Sequence, residues 1–202
     1  MSSYNEEQAN ALAMARNYFA GPGNRRQALA ESLAPYLAFR QATDRFLEDH
    51  FADLCTVKCY QGNLSACCSR EGIVAFFADV VINAAVSSEE NLDRIAAVLA
   101  RPNTGVKCVF LTPQGCLWKV KPIVCQMFVC NPAKNEIFEK DPALKEQWEN
   151  LKKQEKTFTW PDKPVLFDDL ETLFMDQGLQ SPLMYCHNSP GLLMVKKKAG
   201  LK

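Results

Sequence analysis

Eight of the nine cysteines fall between Cys55 and Cys130, and the rest of the 202-residue chain holds only Cys186. Structural thiols scattered through a core do not crowd in this way. Nor does the chain need them as staples. At this length folding buries roughly 70% of the unfolded surface, enough to build a core without covalent help. Nine cysteines in 202 residues also fall below the share that marks a disulfide scaffold. The links between them are partly polar, as in Gln61-Gly-Asn-Leu-Ser65, so the window is more than an apolar run. Crowded thiolates are soft ligands that select zinc, copper(I) or iron–sulfur clusters over magnesium or calcium.

The rest of the composition narrows the function classes. Lys and Arg number 23 and Asp and Glu 23, so no net field draws the chain to nucleic acid or to an anionic membrane. The start, Met1-Ser-Ser-Tyr-Asn-Glu-Glu7, lacks the basic and apolar run of an export signal. The longest apolar stretch, Ile73 to Val86, contains Asp79 and Asn83 and is too short for a membrane span of roughly 20 residues. A soluble cytoplasmic protein is expected, and in a reducing compartment the thiols stay free of disulfides.

Periodicity predicts a mainly α fold with a small irregular β-hairpin, its helices packed around a cysteine-rich metal centre. Residues 5–54 read as helical, with Gly21-Pro-Gly-Asn24 as a breaker and Pro35 as a kink or a second start. Ile73 to Val86 reads as a buried helix. Ser87-Ser-Glu-Glu90 reads as a capping box opening a helix whose face is Leu92, Ile95, Ala96 and Leu99. Strand material is confined to Val106–Val120, on either side of Thr112-Pro-Gln-Gly115. Helix resumes after Asn131, with Pro142 in a first turn, a turn between Pro161 and Pro164, and a further helix over Val165–Gln177. The tail Lys196-Lys-Lys198 reads as solvated. One domain over 1–202 is expected, with 1–54 helical, 55–131 the cysteine core and 132–202 helical.

Cysteine spacing can be tested against geometry. Cys55-x3-Cys59 lies one turn apart on a helix that runs on past Asp53. Cys125-x4-Cys130 also falls near one turn, after a Pro122 that suits a helix start. Cys67-Cys68 is adjacent, so the pair serves two corners of one cluster or two separate sites. With Pro113-Gln-Gly115 as a three-residue loop, Thr112 faces Cys116, and Cys108 lies four residues off, about 13 Å at ordinary strand rise. Sulfurs around one zinc sit roughly 3.7 Å apart, given Zn–S bonds near 2.3 Å. Either the hairpin is irregular or the two cysteines serve different sites.

The segment Cys108-Val-Phe-Leu-Thr-Pro-Gln-Gly-Cys116, continuing through Pro122, Cys125 and Phe128 to Cys130, resembles the YkgJ/FliB-type cysteine-cluster family, a zinc- or iron-chelating CxxCxxCC domain. The resemblance implies metal ligands at Cys55, Cys59, Cys67, Cys68, Cys108, Cys116, Cys125 and Cys130. This chain departs from the pattern in its looser first group and in Lys121 and Gln126, which stand where the family carries arginine. The implied function is coordination of an iron–sulfur cluster or zinc, with a protein partner unidentified. A second reading is an S-adenosylmethionine-dependent enzyme similar to flagellin lysine N-methylase, and a third is a structural zinc module that binds another protein. No GxGxxG, P-loop, HExxH or GxSxG pattern anchors other chemistry. Cys186 and His50 lie outside the pattern and are expected to pack or to face solvent, as are Phe76, Phe77, Trp118 and Phe128 around the site.

Overall fold

The segment that is apolar on every side forms the centre of the fold. The computed structural model describes residues 3–65, 67–70, 74–102, 104–159 and 165–200. Helix α4 (Phe77–Val86) is buried from Phe77 through Ala85. It packs against α1 (Ser3–Ala20), α2 (Arg25–Ser32) and α9 (Leu166–Met175). The main core thus draws Ala11, Leu12 and Ala15 from one end of the chain and Phe167, Leu170 and Phe174 from the other. The helix begins at Phe77 because the Asp79 carboxylate accepts the Phe76 N–H at 2.9 Å, which leaves Phe76 extended. Ile73, the expected first residue, lies outside the described residues, as does the turn expected between Pro161 and Pro164.

The N-terminal helices separate at Gly23, whose φ of 87° suits glycine. Pro35 stands in the first turn of α3 (Ala34–Phe51), so it is a start and not a kink. Helix α5 (Glu89–Leu99) buries Leu92, Ile95 and Leu99 as its period requires. Its cap is Ser88, which accepts from the Asn91 N–H at 3.3 Å, so the expected box between Ser87 and Glu90 is displaced by one residue. Two short strands, β1 (Leu111–Thr112) and β2 (Gly115–Cys116), form an antiparallel pair. Helices α6 (Ile123–Gln126), α7 (Asn131–Phe138) and α8 (Pro142–Thr159) follow, and α10 (Tyr185–Asn188) and α11 (Pro190–Lys198) close the described chain.

A second, smaller core joins Phe46 and Phe51 of α3 to Val129, Ala133 and Trp148. Phe46 stacks on Trp148 with centroids 5.7 Å apart, and Phe138 meets Phe51 edge-on at 5.6 Å. The eight clustered cysteines lie beside these cores and not at their centre: Cys55, Cys67, Cys116 and Cys125 are exposed, and Cys59, Cys68, Cys108 and Cys130 half-buried. Lys196 departs from the solvated tail expected of it. It is 2% exposed and paired with Asp168, because a buried ammonium requires a carboxylate. Among the described residues no helix is long and apolar enough to cross a membrane.

Candidate metal centre

Four chain segments carry the eight cysteines. The first is a π-helical continuation of α3, π1 (Ala52–Gln61), which carries Cys55 and Cys59 four residues apart and so on nearly the same side. Leu54 packs on the second core, and Lys58 lies 3.9 Å from Glu136 of α7. The Tyr60 hydroxyl donates to the Thr112 carbonyl at 2.6 Å, tying π1 to the hairpin.

The chain then turns back sharply. The Cys59 carbonyl accepts the N–H groups of Leu64 and Ser65 at 2.9 and 3.0 Å. Asn63 and Ser65 have φ of 59° and 38°, a region that residues with a side chain occupy at a cost. Gly62 is required by close approach, since a Cβ there would lie 2.3 Å from the Lys58 carbonyl oxygen. The Lys107 ammonium donates to the Leu64 and Ser65 carbonyls and holds the loop down. This reversal lays residues 67–70 alongside 106–108. Cys108 N–H donates to the Cys68 carbonyl at 2.9 Å, Ser69 bridges Lys107, and Arg70 N–H donates to Val106 at 3.0 Å.

The hairpin is irregular, which answers one of the alternatives posed by spacing. Leu111 pairs with Cys116 and Thr112 with Gly115, so the loop has two residues and Thr112 does not face Cys116. The Thr112 hydroxyl donates to the Gly115 carbonyl at 2.9 Å and accepts the Gln114 N–H at 3.2 Å, which closes the tighter loop. Ahead of it Leu111 N–H returns to the Cys108 carbonyl at 3.1 Å, a turn in place of extended strand. Cys125 and Cys130 do not share a helix turn. Helix α6 stops at Gln126, and Cys130 sits at the N-cap of α7, because Pro132 suits only the start of a new helix.

Buried polar side chains on α3 and α4 clamp the segment between Cys116 and Cys125. Asn83 accepts the Val120 N–H at 3.0 Å and donates to the Val120 carbonyl at 2.6 Å. Asp79 accepts the Ile123 N–H at 3.0 Å. The Arg40 guanidinium donates to the Gln126 side chain, to the Lys121 carbonyl and to the Tyr36 hydroxyl, and Gln126 donates back to the Arg40 carbonyl at 3.0 Å. Gln126 therefore pairs with an arginine drawn from α3. The sequence shows Asp79 and Asn83 as polar interruptions of the apolar stretch but gives neither them nor Arg40 a positioning role. Their signal was a charged or amide group on an otherwise apolar helix face, with Asp79 and Asn83 one turn apart.

The thiols differ in charge preference. Partial loss of water around the sulfur raises Cys55, Cys116 and Cys125 above the ordinary thiol range, although each residue is exposed as a whole, and desolvation pushes the half-buried Cys108 up to about 11. Cys67 is drawn down to about 6, first by the hydrogen bond from Cys68, with Lys121 and Lys107 adding to it. Cys68, the donor, is raised by the same contact. Among the described residues no three His, Cys, Asp or Glu side chains are gathered closely enough to hold a metal ion. The donor set nevertheless suits a soft ion in kind, since all nine cysteines are free. Phe128, expected to pack around the site, is instead 54% exposed, while Trp118 and Phe77 are buried.

Comparison with family models, curated proteins and solved structures returned no match.

Outside this region Cys186 is buried and its thiol is pushed up to about 12 by burial and then by Glu171. His50 stacks edge-on against Phe46 at 4.9 Å and is half-buried. Neither stands with the eight.

Proposed function

We propose that the chain is a cytoplasmic metal-binding protein that coordinates an iron–sulfur cluster or zinc through Cys55, Cys59, Cys67, Cys68, Cys108, Cys116, Cys125 and Cys130. What supports the reading is that eight free thiols on four segments lie outside the apolar interior, in electrostatic reach of one another, while the ninth is left in the core. The cysteine order that resembles the YkgJ/FliB-type family supports the same chemistry. Bound zinc would supply folding energy, and an iron–sulfur cluster would add electron transfer. The residues of the chain do the positioning. Asp79, Asn83 and Arg40 hold the segment bearing Cys116 and Cys125, and Lys107 holds the loop before Cys67.

The purified protein tests this directly. Prepared without oxygen, it should carry stoichiometric zinc, or iron with acid-labile sulfide and a brown colour. Protein that folds without either, and takes up neither on addition, would refute the proposal.

A second reading, a zinc-stabilised protein-binding module, draws on the exposed apolar residues. Val57, Leu64, Val74, Val106, Val124 and Phe128 are all exposed and all lie within or beside the cysteine segments. Under this reading a colourless zinc protein should bind its partner through this face, and Phe128→Ser should weaken that binding without loss of metal. The methyl-transfer reading has no observation of this kind in its favour.

A further inference from the structure

A cavity lies where α1, α4 and α5 meet the segment that follows Cys116. Its volume is about 10 Å³, and each residue around it is 4% exposed or less. Leu12 of α1, Val80 of α4 and Ile95 of α5 give it apolar walls, while Gln8, Asn83 and Trp118 bring polar atoms. Asn83 is already engaged. Its amide nitrogen donates to the carbonyls of Asp79 and Val120 at 3.1 and 2.6 Å, and its oxygen accepts the Val120 N–H at 3.0 Å. Gln8 and Trp118 differ. Among the described residues, neither the amide oxygen nor the amide nitrogen of Gln8 has a hydrogen-bond partner, and the Trp118 indole N–H has none.

A buried amide and a buried indole N–H left unpaired cost the fold the hydrogen bonds that both make to water when unfolded. Room decides how they are satisfied. An apolar cavity stays dry, whereas one that offers two or more polar partners and the space of one water molecule holds that molecule. We infer that this cavity is a binding site for a single water molecule, which accepts the Trp118 indole N–H and bonds to the Gln8 amide. The amide serves in either orientation, since its oxygen accepts from water and its nitrogen donates to it. The site goes beyond the metal-binding reading and does not depend on it. Trp118 stands two residues after Cys116. Asn91 donates to the Leu117 carbonyl at 3.1 Å and Asn83 holds Val120, so direct hydrogen bonds fasten this segment to α5 and α4. The water fastens it to α1. It also fixes the tilt of the Trp118 ring, which meets Phe110 edge-on at 5.3 Å.

The full-length chain, labelled with nitrogen-15, is examined by water-selective nuclear Overhauser spectroscopy, and its crystals by diffraction fine enough to place ordered water. The Trp118 indole proton, identified by its loss in Trp118→Phe, should show a cross-peak to water with the sign of a long-lived contact. Density for one water should stand about 2.7–3.2 Å from both Trp118 Nε1 and a Gln8 amide atom. Gln8→Met, which keeps the volume and removes the amide, should lose the cross-peak while the indole signal persists. A missing cross-peak in the wild type, a dry cavity, or a direct bond from Trp118 to the Gln8 oxygen would each overturn the site. So would a cross-peak unchanged in Gln8→Met. If that variant fails to fold, the wild-type cross-peak and density decide.

Discussion

Asp79 is 1% exposed, and burial pushes its carboxyl up to about 6 despite the N–H groups of Phe76 and Ile123 and the charge of Arg40. A carboxyl whose folded value is raised stabilises the fold fully below its unfolded value and loses that contribution as pH rises through about 6. Between about pH 4 and pH 7 the loss amounts to about 3 kcal/mol. Urea unfolding of the metal-free chain should therefore show wild-type stability falling over this window relative to Asp79→Asn, and parallel profiles would refute the assignment. Glu171, raised to about 7 by burial, shifts stability in the same direction. A second prediction concerns ligands. Cys67→Ser, Cys68→Ser or Cys125→Ser should lower bound metal severalfold, whereas Cys186→Ser should leave it unchanged, as elemental analysis will show. Equal loss from Cys186→Ser would mean that the site is wrongly drawn.

At the scale of elements, the loop from π1 back to Cys67 depends on backbone geometry that one methyl group disturbs. Gly62→Ala places a Cβ on the Lys58 carbonyl, and the carbonyl cannot retreat without loosening π1. A cost of about 1–3 kcal/mol is expected, with reduced cobalt uptake as its functional sign. Trp148 works from the other side: among the described residues it is the largest fully buried side chain, and it is the floor of the second core. Trp148→Ala should cost about 3–5 kcal/mol by thermal or denaturant unfolding. It should also weaken metal uptake, since π1 and the N-cap of α7 both rest on that floor. Element identity was readable along most of the chain. The buried α4, the amphipathic α5 and the proline-started α8 follow from period and capping residues, whereas Pro35 was open to a kink or a start until α3 was seen to begin there. Exact register was not readable, because a two-residue and a three-residue loop at Pro113-Gln-Gly115 differ only in which partner the Thr112 hydroxyl finds.

For the molecule as a whole, the cysteine-bearing segments on either side of α4 and α5 lie beside the cores, and half of their thiols and several flanking apolar residues face outward. Metal should therefore act as a folding ligand. With free zinc about a hundredfold above its dissociation constant, stabilisation of about 2.7 kcal/mol is expected, and a chelator should lower the melting temperature correspondingly. Zinc uptake should strengthen as pH rises, because thiols such as Cys108, held at about 11, give up protons on binding. Isothermal titration in buffers of different ionisation enthalpy counts those protons. An unchanged melting temperature on chelation would remove the folding role. The cysteine count and its clustering, the helical character of the flanks and the absence of a membrane-length helix were all present in residue order, because composition and short-range periodicity are local properties. The outward placing of half the clustered thiols, the burial of Lys196 against Asp168 and the clamp of Arg40, Asp79 and Asn83 on the cysteine segment were not. They depend on which faces meet after α3 and α4 pack, and that choice is made by the burial of side chains far apart in the chain.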